Sequence, residues 1–500
     1  MKTIKKIAVG LSCVFVMAMA TACGGGSGGS DELELLVDLH SLNPSLNSTP
    51  TAENPDVVLS TKYIIDAFEE ENPGITVRID RSKDVAADED GVSEWFVNKI
   101  NNGNCPVIAF SWGTTFQARD YYVDLTEYLE EPNEYVEGNE RWADQFYDYV
   151  WDDTNVADVN GKIVSIPLLL APGTETAYYY NTELISQDSL PMNWEEFIDT
   201  AHALEDSGVV GFAQWGNATK VTLDTWSFKF SIGPSFIGGQ MDILDYDQDG
   251  NISTYEQLRG VKEGKYNPVT SDYAKEVFLQ AKRYFTTTGS EENRGPLNKN
   301  WQGSSFYNTW SAGGVGMLED GTWSINKENN NVDREFEYGM MAPPLLDTST
   351  SEYALPEIEY VTGEELEYKV NYSLNIMKPA VEDKPELLEA AVKFLKFLST
   401  TDCLSMIIEE NGSYIGATKD SGHSSILDSY LSAQFPVVPN GMWPLGFTSE
   451  YNDAINRLFQ KWYLGDIDDA EFYEGLNTNQ QAGADAMIAA MEIDTTGWDL

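Results

Sequence analysis

The stretch Ser60-Thr-Lys-Tyr-Ile-Ile-Asp-Ala-Phe-Glu-Glu-Glu-Asn-Pro-Gly-Ile-Thr-Val-Arg-Ile79 contains a helix signal, a stop signal and a strand signal in direct succession. Its first part, Ser60–Glu71, places apolar side chains at helical spacing, with Ser60 or Thr61 as the N-cap. Pro73-Gly74 ends the predicted helix. Ile75–Ile79 then alternates apolar and polar residues with a period of two, which is typical of a strand.

The alternation of strands and helices continues on both sides of this stretch. Glu34–Leu39 and Pro106–Phe110 are predicted strands, and Val92–Asn101 is a predicted helix between them. Strands that alternate with helices form a mostly parallel sheet, and such sheets bind ligands beyond the carboxyl ends of their strands. Trp112 lies at such an end, because it follows the strand that ends at Phe110.

The second half of the chain repeats the α/β pattern. Strands are predicted over Gly161–Pro167 and Ala177–Asn181, and helices over Tyr273–Phe285 and Pro385–Leu398. Another helix begins near Asn193, its predicted N-cap. A length of 500 residues with 42% hydrophobic residues indicates a globular protein of two or more folding units.

The charge balance excludes some classes of partner. There are 31 Lys and Arg residues against 81 Asp and Glu residues, so the formal net charge is 31 − 81 = −50. Nucleic-acid binding needs a basic surface, which argues against that function. The same charge disfavours docking of the protein body onto an anionic membrane.

The N-terminus carries an export signal. A basic head with Lys2, Lys5 and Lys6 precedes the apolar run Ile7–Ala20, which is too short for a membrane span. Ala20-Thr21-Ala22-Cys23 resembles the bacterial lipoprotein processing site, although a Leu is usual where Ala20 stands. We therefore predict a signal peptide over residues 1–22, a lipidated Cys23, and a Gly/Ser tether that ends at residue 30.

The remaining cysteines and histidines do not suggest a transition-metal site. Cys105 and Cys403 would be left in the mature chain, and two buried free thiols are a better interpretation than one disulfide bridge. The three histidines are widely separated in the sequence, and no Cys-x-x-Cys motif occurs, so a zinc or iron site is not expected.

Short segments distributed over residues 33–500 share their order and spacing with a known family. They are Phe68–Ile75 with Val77, Val107–Trp112, Gly161-Lys162 leading to Ile166-Pro167, Tyr180-Asn181, Trp194–Phe197, Gly316–Leu318 with Gly321–Trp323, Tyr338-Gly339 with Pro343-Pro344, and Ala390-Ala391 with Phe394-Leu395 and Leu398-Ser399. With these segments the chain resembles the carbohydrate-binding proteins of ABC importers, the extracellular solute-binding family that includes maltose-binding protein.

The resemblance implies an α/β, two-lobed periplasmic-binding-protein fold of type II, with interleaved lobes and a hinge. By that analogy residues 31–167 and 343–411 form the N-lobe, and residues 168–342 and 412–500 form the C-lobe. The ligand would lie between the lobes. The implied protein is a monomer that is held outside the cytoplasmic membrane by lipid alone and works with ABC permease subunits.

A sugar site needs flat aromatic rings for the C–H faces of the sugar, and polar groups for its hydroxyls. The resemblance gives Trp112, Trp323 and Trp443 stacking positions, and it gives Trp226 a place in the aromatic floor. Weaker candidates accompany them. They are Thr114, Glu175, Tyr178, Trp215, Asp224 and Tyr414. The competing interpretation of each aromatic residue is a large core side chain.

A calcium-binding motif lies within the predicted C-lobe. Residues 245–256 match the EF-hand loop at every defining position. The predicted ligands are Asp245, Asp247, Asp249, Asn251, Ser253 and Glu256, with Gly250 at the sharp turn. The competing interpretation is an accidental acidic loop. Because the loop has no second copy to pair with, we expect Ca²⁺ to be structural.

The sequence therefore predicts a lipid-anchored receptor that captures an oligosaccharide and delivers it to an importer, without covalent chemistry. One alternative is a surface glycoside hydrolase with two catalytic carboxylates. Another is a receptor of the same fold for a peptide, a polyamine or a metal chelate. No recognisable catalytic motif supports the hydrolase, and the stacking tryptophans favour a sugar over a cation.

Overall fold

The computed structural model describes residues 33–49, 57–83, 89–110, 121–153, 155–158, 161–171, 176–214, 220–248, 250, 252–303, 306–329, 331, 333–366, 368–432, 434–437, 443, 445–491 and 493–500. The predicted signal peptide, Cys23 and the Gly/Ser tether lie outside these residues. No helix in the described part is long and apolar enough to cross a membrane.

The strands and helices alternate along the chain as the sequence predicts. The strands are β1 Leu33–Asp38, β2 Ile75–Ile79, β3 Ile108–Ala109, β4 Ile166–Ala171, β5 Thr176–Asn181, β6 Val210–Gln214, β7 Val315–Gly321, β8 Tyr338–Met341, β9 Tyr360–Thr362, β10 Lys369–Ile376, β11 Ile415–Gly416 and β12 Gln434–Pro436. The longer helices are α1 Ser60–Glu71, α2 Glu89–Asn101, α3 Trp194–Asp206, α4 Thr254–Lys262, α5 Asp272–Phe285, α6 Pro385–Leu398, α7 Thr401–Asn411, α8 Ser449–Leu464 and α9 Asp469–Ala490. Shorter helices span Thr126–Leu129, Gly233–Gly238, Met241–Leu244, Tyr307–Ser311, Ile325–Asn329, Lys378–Val381 and Asp428–Leu431.

Two main sheets organise the molecule. The first has the strand order β11-β4-β10-β3-β1-β2, with β1 parallel to β2 and β3 and antiparallel pairing at β10. The second has the order β6-β7-β5-β8, with β6 and β7 parallel. In each sheet the parallel strands direct their carboxyl ends to one edge, where ligands bind in open α/β sheets.

The chain passes between the two sheets more than once. It leaves the first sheet after β4, returns from β8 to β10, and leaves again after β11. A small separate sheet pairs β9 with β12, so two of the connecting segments are hydrogen-bonded to each other. The changes of sheet follow residues 171, 341 and 416, near the predicted boundaries at 167, 342 and 411. The lobe boundaries themselves remain a prediction.

Some helices have the N-cap that the local sequence predicts, and in others a residue distant in sequence supplies the cap. Asn193 caps α3 as predicted, since its side chain accepts the Glu196 amide at 3.0 Å. Helix α1 is capped differently, because Leu59 is its N-cap and offers no polar side chain. The Glu410 carboxylate accepts the amides of Leu59 and Ser60 instead, at 2.8 and 3.0 Å. A residue about 350 positions away thus supplies the cap.

The cores of the two sheets are apolar and aromatic. One hydrophobic cluster covers the first sheet and continues onto one face of the second, where Tyr179 and Leu318 belong to it. A second cluster, with Tyr178 and Met317, covers the opposite face of the second sheet. Both cysteines of the described residues, Cys105 and Cys403, are free thiols as predicted, but Cys403 is buried whereas Cys105 is only half-buried.

Candidate functional site

Two of the predicted site tryptophans meet at the carboxyl end of the second sheet. The rings of Trp226 and Trp323 pack edge to face, with centroids 4.4 Å apart and planes at 79°. Each side chain is only partly buried, so both rings retain open surface. Flat apolar surface of this kind, beside polar groups, is what a small ligand can stack on.

The position of Trp323 depends on the glycine two residues before it. A Cβ atom built on Gly321 would lie 2.1 Å from the indole ring of Trp323. The indole therefore lies directly over the end of its own strand, β7, where any side chain would displace it. The family resemblance predicted Trp323 as a stacking residue, and the structure shows why residue 321 is a glycine.

A buried carboxyl group is bonded to the residue next to Trp226. Glu319, in β7, is 4% exposed, and its Oε1 accepts hydrogen bonds from the Ser227 amide at 2.8 Å and the Ser227 hydroxyl at 2.7 Å. The same hydroxyl lies 2.6 Å from the hydroxyl of Tyr178 and 3.3 Å from that of Tyr284. Burial raises the pKa of Glu319 to about 7.

A second buried carboxyl group follows in the same strand. Asp320 is 1% exposed and accepts the Gly321 amide at 2.8 Å. Burial raises the pKa of Asp320 to about 7 as well. Among the described residues, its Oδ2 and the Thr322 hydroxyl have no hydrogen-bond partner. The turn that presents Trp323 is therefore built from buried polar groups.

Two predicted contact residues lie in the interior, which corrects their assignment. Trp443 is 2% exposed and packs edge to face against Tyr266, with centroids 4.9 Å apart, and against Tyr273 and Phe278. Tyr178 is fully buried, and its hydroxyl is bonded to Ser227. Neither side chain offers a surface to a ligand in this structure, because neighbouring aromatic rings already cover it.

The other predicted residues are distributed as follows. Asp224 is exposed near Trp226 and forms an ion pair with Lys229. Tyr414 is half-buried beside the first sheet, close enough to Tyr372 to interact with it electrostatically. The remaining candidates, Trp112, Thr114, Glu175 and Trp215, lie outside the described residues.

The carboxyl end of the first sheet carries a stack of three rings. His40 stacks on Phe110 at a centroid distance of 4.6 Å, and Phe110 stacks on Tyr372 at 4.8 Å. His40 has a φ angle of 47°, which is uncommon for a residue other than glycine and typical of strained functional segments. Burial lowers the pKa of His40 to about 4, so the imidazole is neutral at pH 7.

A buried ion pair supports this stack. Lys83 is paired with Asp38, and their side chains are 2% and 0% exposed. The Lys83 ammonium also donates to the Phe110 carbonyl at 3.1 Å. The amide of His40 donates to Asp38 at 3.0 Å. Asp38, at the end of β1, is therefore linked through Lys83 to Phe110, which follows β3. In the sequence, the predicted contact residue Trp112 comes two positions after Phe110.

Sequence reasoning did not select these first-sheet residues, although a signal was present. His40 directly follows the predicted strand Glu34–Leu39, so the rule that pointed to Trp112 applied to it equally. Glu319 carried no such signal. Its interaction is with Ser227, which is 92 positions away in the sequence.

The described residues of the EF-hand-like loop form a tight acidic turn before a helix. Gly250 takes a φ angle of 88°, Ile252 is fully buried, and α4 begins at Thr254. Ligand oxygens of Asp245, Asp247 and Glu256 all lie within 4.8 Å of one another. Asp249 and Asn251 lie outside the described residues.

The donor set of this loop fits a hard cation. Its candidate ligands are carboxylate, hydroxyl and carbonyl oxygens, which Ca²⁺ prefers. Glu256 accepts the Tyr246 amide at 2.7 Å with one carboxylate oxygen and the Ser253 amide at 2.8 Å with the other. The second oxygen also accepts the Ser253 hydroxyl at 2.9 Å, so the oxygen that accepts the Tyr246 amide is the one that retains a further lone pair for a cation. Helix α4 then packs on α9, where Gln481 donates to the Val261 carbonyl at 2.6 Å.

Comparison with solved structures gives the same fold at low sequence identity. A chitin oligosaccharide binding protein is 15% identical, with a TM-score of 0.58, over 91% of this chain and 100% of its own. RafE in complex with raffinose is 16% identical, with a TM-score of 0.54, over 90% and 100%. The maltose/maltodextrin-binding domain MalE from Bdellovibrio bacteriovorus, bound to maltotriose, is 16% identical, with a TM-score of 0.54, over 91% and 100%.

No curated protein sequence matches this chain. Residues 52–402 match the family model described as bacterial extracellular solute-binding protein. The matched segment contains the parallel pair β6–β7, the Trp226–Trp323 contact and the acidic loop. The order of the strands in the two sheets and this match lead to one conclusion: the chain belongs to the bacterial extracellular solute-binding protein family and has its two-lobed, type II periplasmic-binding-protein fold.

Proposed function

We propose that this protein captures an oligosaccharide between its two lobes and delivers it to an ABC importer. The observation that carries the proposal is the edge-to-face pair of Trp226 and Trp323, half-open at the carboxyl end of the second sheet. The proteins of similar fold named above are described with chitin oligosaccharide, raffinose and maltotriose, which supports a sugar as the ligand class.

The chemistry of the pair suits a saccharide. The C–H face of a sugar ring packs on an indole face, and its hydroxyls exchange water for protein hydrogen-bond partners. The ion-paired carboxylate of Asp224 is the exposed acceptor nearest in sequence to the pair. Closure of the lobes would follow from contacts that form only in the closed state, which shifts the population towards it. No covalent step is required, in keeping with a family of binding proteins.

The proposed location is outside the cytoplasmic membrane. The family is extracellular, and the sequence from Lys2 to Cys23 predicts lipoprotein export and lipidation. A lipid at Cys23 would tether the receptor near its permease while the Gly/Ser segment lets it move. Metabolic labelling with a fatty acid analogue tests this part, and Cys23→Ser is expected to abolish the label and release the protein.

We further propose that residues 245–256 bind one Ca²⁺ as a structural ion. The clustering of Asp245, Asp247 and Glu256, together with the turn at Gly250, supports this assignment. None of the described loop residues is part of the Trp226–Trp323 contact, so Ca²⁺ would stabilise the fold of the second lobe and leave ligand stacking unchanged.

Calorimetric titration tests the ligand class. The purified protein would be titrated with maltotriose, raffinose and chitotriose, and with spermidine as a cationic alternative. We expect binding of at least one neutral sugar and its loss in Trp226→Ala and Trp323→Ala. Trp151→Ala is the matched control, because Trp151 is also half-buried but packs on Phe146 of the first cluster.

Two outcomes would contradict the proposal. Binding of spermidine with no response to any neutral sugar would favour a receptor for a cation. Hydrolysis of an oligosaccharide by the purified protein, abolished by substitution of a single carboxylate, would favour a glycoside hydrolase.

A further inference from the structure

Glu319 joins the two segments that carry the tryptophan pair. Trp226 immediately precedes Ser227, and Trp323 follows Glu319 by four residues along β7 and its turn. The hydrogen bonds from the Ser227 amide and hydroxyl to Glu319 therefore connect one tryptophan-bearing segment to the other. This carboxyl group is the contact that ties the backbone next to Trp226 directly to the strand that presents Trp323, while the Ser227 hydroxyl also contacts Tyr178 and Tyr284.

The carboxyl group of Glu319 is costly to bury. It is 4% exposed, and no lysine or arginine in the described part of the chain forms an ion pair with it. An apolar side chain would fill a core position without this desolvation cost. The polar group must therefore do something that an apolar residue cannot, and here it holds a backbone amide at the start of an irregular helix.

An irregular helix begins at Trp226. Residues 226–227 are helical and continue into a π-helix over Phe228–Ile232, and the Thr225 hydroxyl caps this helix by accepting the Phe228 amide at 3.1 Å. The Ser227 amide lies in the first turn, where the helix offers no backbone acceptor, and the Glu319 carboxylate accepts it instead. Single-turn π-helical segments are frequent at functional sites.

We propose that Glu319 is a positioning residue of the ligand site, which fixes the Trp226 indole against the Trp323 indole by anchoring Ser227. The effect on sugar affinity rests on the function proposed above. The effect on the geometry of the two rings does not.

Near-ultraviolet circular dichroism measures the geometry without any ligand. Two indoles with centroids 4.4 Å apart couple their transitions, and the difference between wild type and Trp226→Phe isolates the signal of this pair. We expect Glu319→Ala to lose most of that signal, with the far-ultraviolet spectrum unchanged. Glu319→Gln, which still offers an amide oxygen to Ser227, is expected to recover at least half of it.

Glu328→Ala is the matched control. Glu328 is a buried carboxyl group of 1% exposure that accepts the indole N–H of a different tryptophan, Trp310, at 3.0 Å. Its loss is expected to leave the Trp226–Trp323 signal intact. If Glu319→Ala fails to fold, Ser227→Ala replaces it. Ser227→Ala removes one of the two hydrogen bonds, and we expect it to reduce the signal partially.

The proposal is overturned if Glu319→Ala, or Ser227→Ala in its place, keeps the wild-type signal. It is also overturned if Glu328→Ala loses the signal to the same extent, since general loosening would then explain both variants. Titration with maltotriose, raffinose and chitotriose forms the second arm. Affinity for the sugar that binds is expected to fall at least tenfold in Glu319→Ala and less than threefold in Glu319→Gln. If no sugar binds the wild type while the optical result holds, the proposed function fails and the positioning role stands.

Discussion

The indole of Trp226 packs edge to face on that of Trp323, and hydrogen bonds from Ser227 to Glu319 link the two segments that carry these rings. A tryptophan at the start of a helix therefore meets a strand-end tryptophan about 100 residues further along the chain, and a buried acid in that strand bonds the residue next to the first tryptophan. Surface aromatic residues in this arrangement are rigid because each ring limits the rotamers of the other. Rigid rings stack on a ligand without a large loss of side-chain entropy.

Replacement of Trp323 by alanine should separate ligand binding from stability. Because the indole is partly exposed, its removal leaves no closed cavity, and we expect the Tm to stay within about 2 °C of the wild type. Affinity for the bound oligosaccharide should fall tenfold to a hundredfold, as for a central aromatic contact. Calorimetry gives both quantities. A large fall in Tm together with the fall in sugar affinity would show that Trp323 is a core residue.

A methyl group on Gly321 should disturb the site through Trp323. The added Cβ would lie 2.1 Å from the indole, so the ring must move away from its place over β7. We expect Gly321→Ala to lower sugar affinity at least tenfold. Gly475→Ala is the control, because its Cβ meets the flexible end of Leu458 at 2.8 Å. Similar affinities for Gly321→Ala and wild type would show that the ring position is not important.

Stability should fall as the pH rises from about 4.5 to about 7. Burial raises the pKa of Glu319 to about 7, so its folded state binds a proton more tightly than the unfolded chain does. The stabilisation is complete below the unfolded pKa and is lost as the pH passes through the folded one. The 2.5-unit difference from the ordinary value of 4.5 corresponds to about 3 kcal/mol.

Comparison with a neutral isostere isolates this effect from other acids, including Asp320, whose pKa is also raised to about 7. Urea unfolding at pH 5 and pH 8 gives the change in the free energy of unfolding between these two pH values for wild type and for Glu319→Gln. We expect the fall in wild type to be about 3 kcal/mol larger than the fall in Glu319→Gln. Parallel behaviour of the two proteins would contradict the burial of an uncompensated carboxyl group.

Local patterns predicted most of the fold. The predicted helix over Ser60–Glu71, the strand over Ile75–Ile79 and the helix over Pro385–Leu398 are present with the same bounds. Periodicity succeeds here because each segment buries one regular face. The strand predicted over Gly161–Pro167 instead runs from Ile166 to Ala171. All six residues of β4 are buried, so no alternation marks its ends.

The site could be predicted only in part, because burial and pairing depend on tertiary contacts. Trp323 and Trp226 were selected from resemblance, and the structure brings them together. Trp443 was selected on the same grounds, but Tyr266, Tyr273 and Phe278 enclose it. A sequence position does not tell which aromatic ring will be covered by others. The proposed calcium loop differs in kind, because all its predicted ligands lie within twelve consecutive residues and local spacing defines the motif.

Removal of calcium should destabilise the second lobe without changing ligand stacking. Helix α4 exits the loop and packs on α9, and Tyr255 in α4 accepts the indole N–H of Trp498 at 2.7 Å. At a calcium concentration one hundred times Kd, a bound ion would add about 2.7 kcal/mol to the stability of the folded state. Excess chelator should therefore lower the Tm, and it should shift the emission of Trp498 as its contact with Tyr255 loosens.

Asp247→Ala tests whether this effect belongs to the loop. The variant should have a lower Tm in calcium than the wild type, and its Tm should no longer respond to chelator, because one clustered ligand is missing. Asp242→Ala is the control, since Asp242 is an exposed acid just before the loop. Sugar affinity measured in excess calcium should remain within about threefold of wild type in both variants, a difference below 1 kcal/mol. A chelator response that persists in Asp247→Ala would place the ion elsewhere, and a parallel loss of sugar affinity would mean that the loop also supports the tryptophan pair.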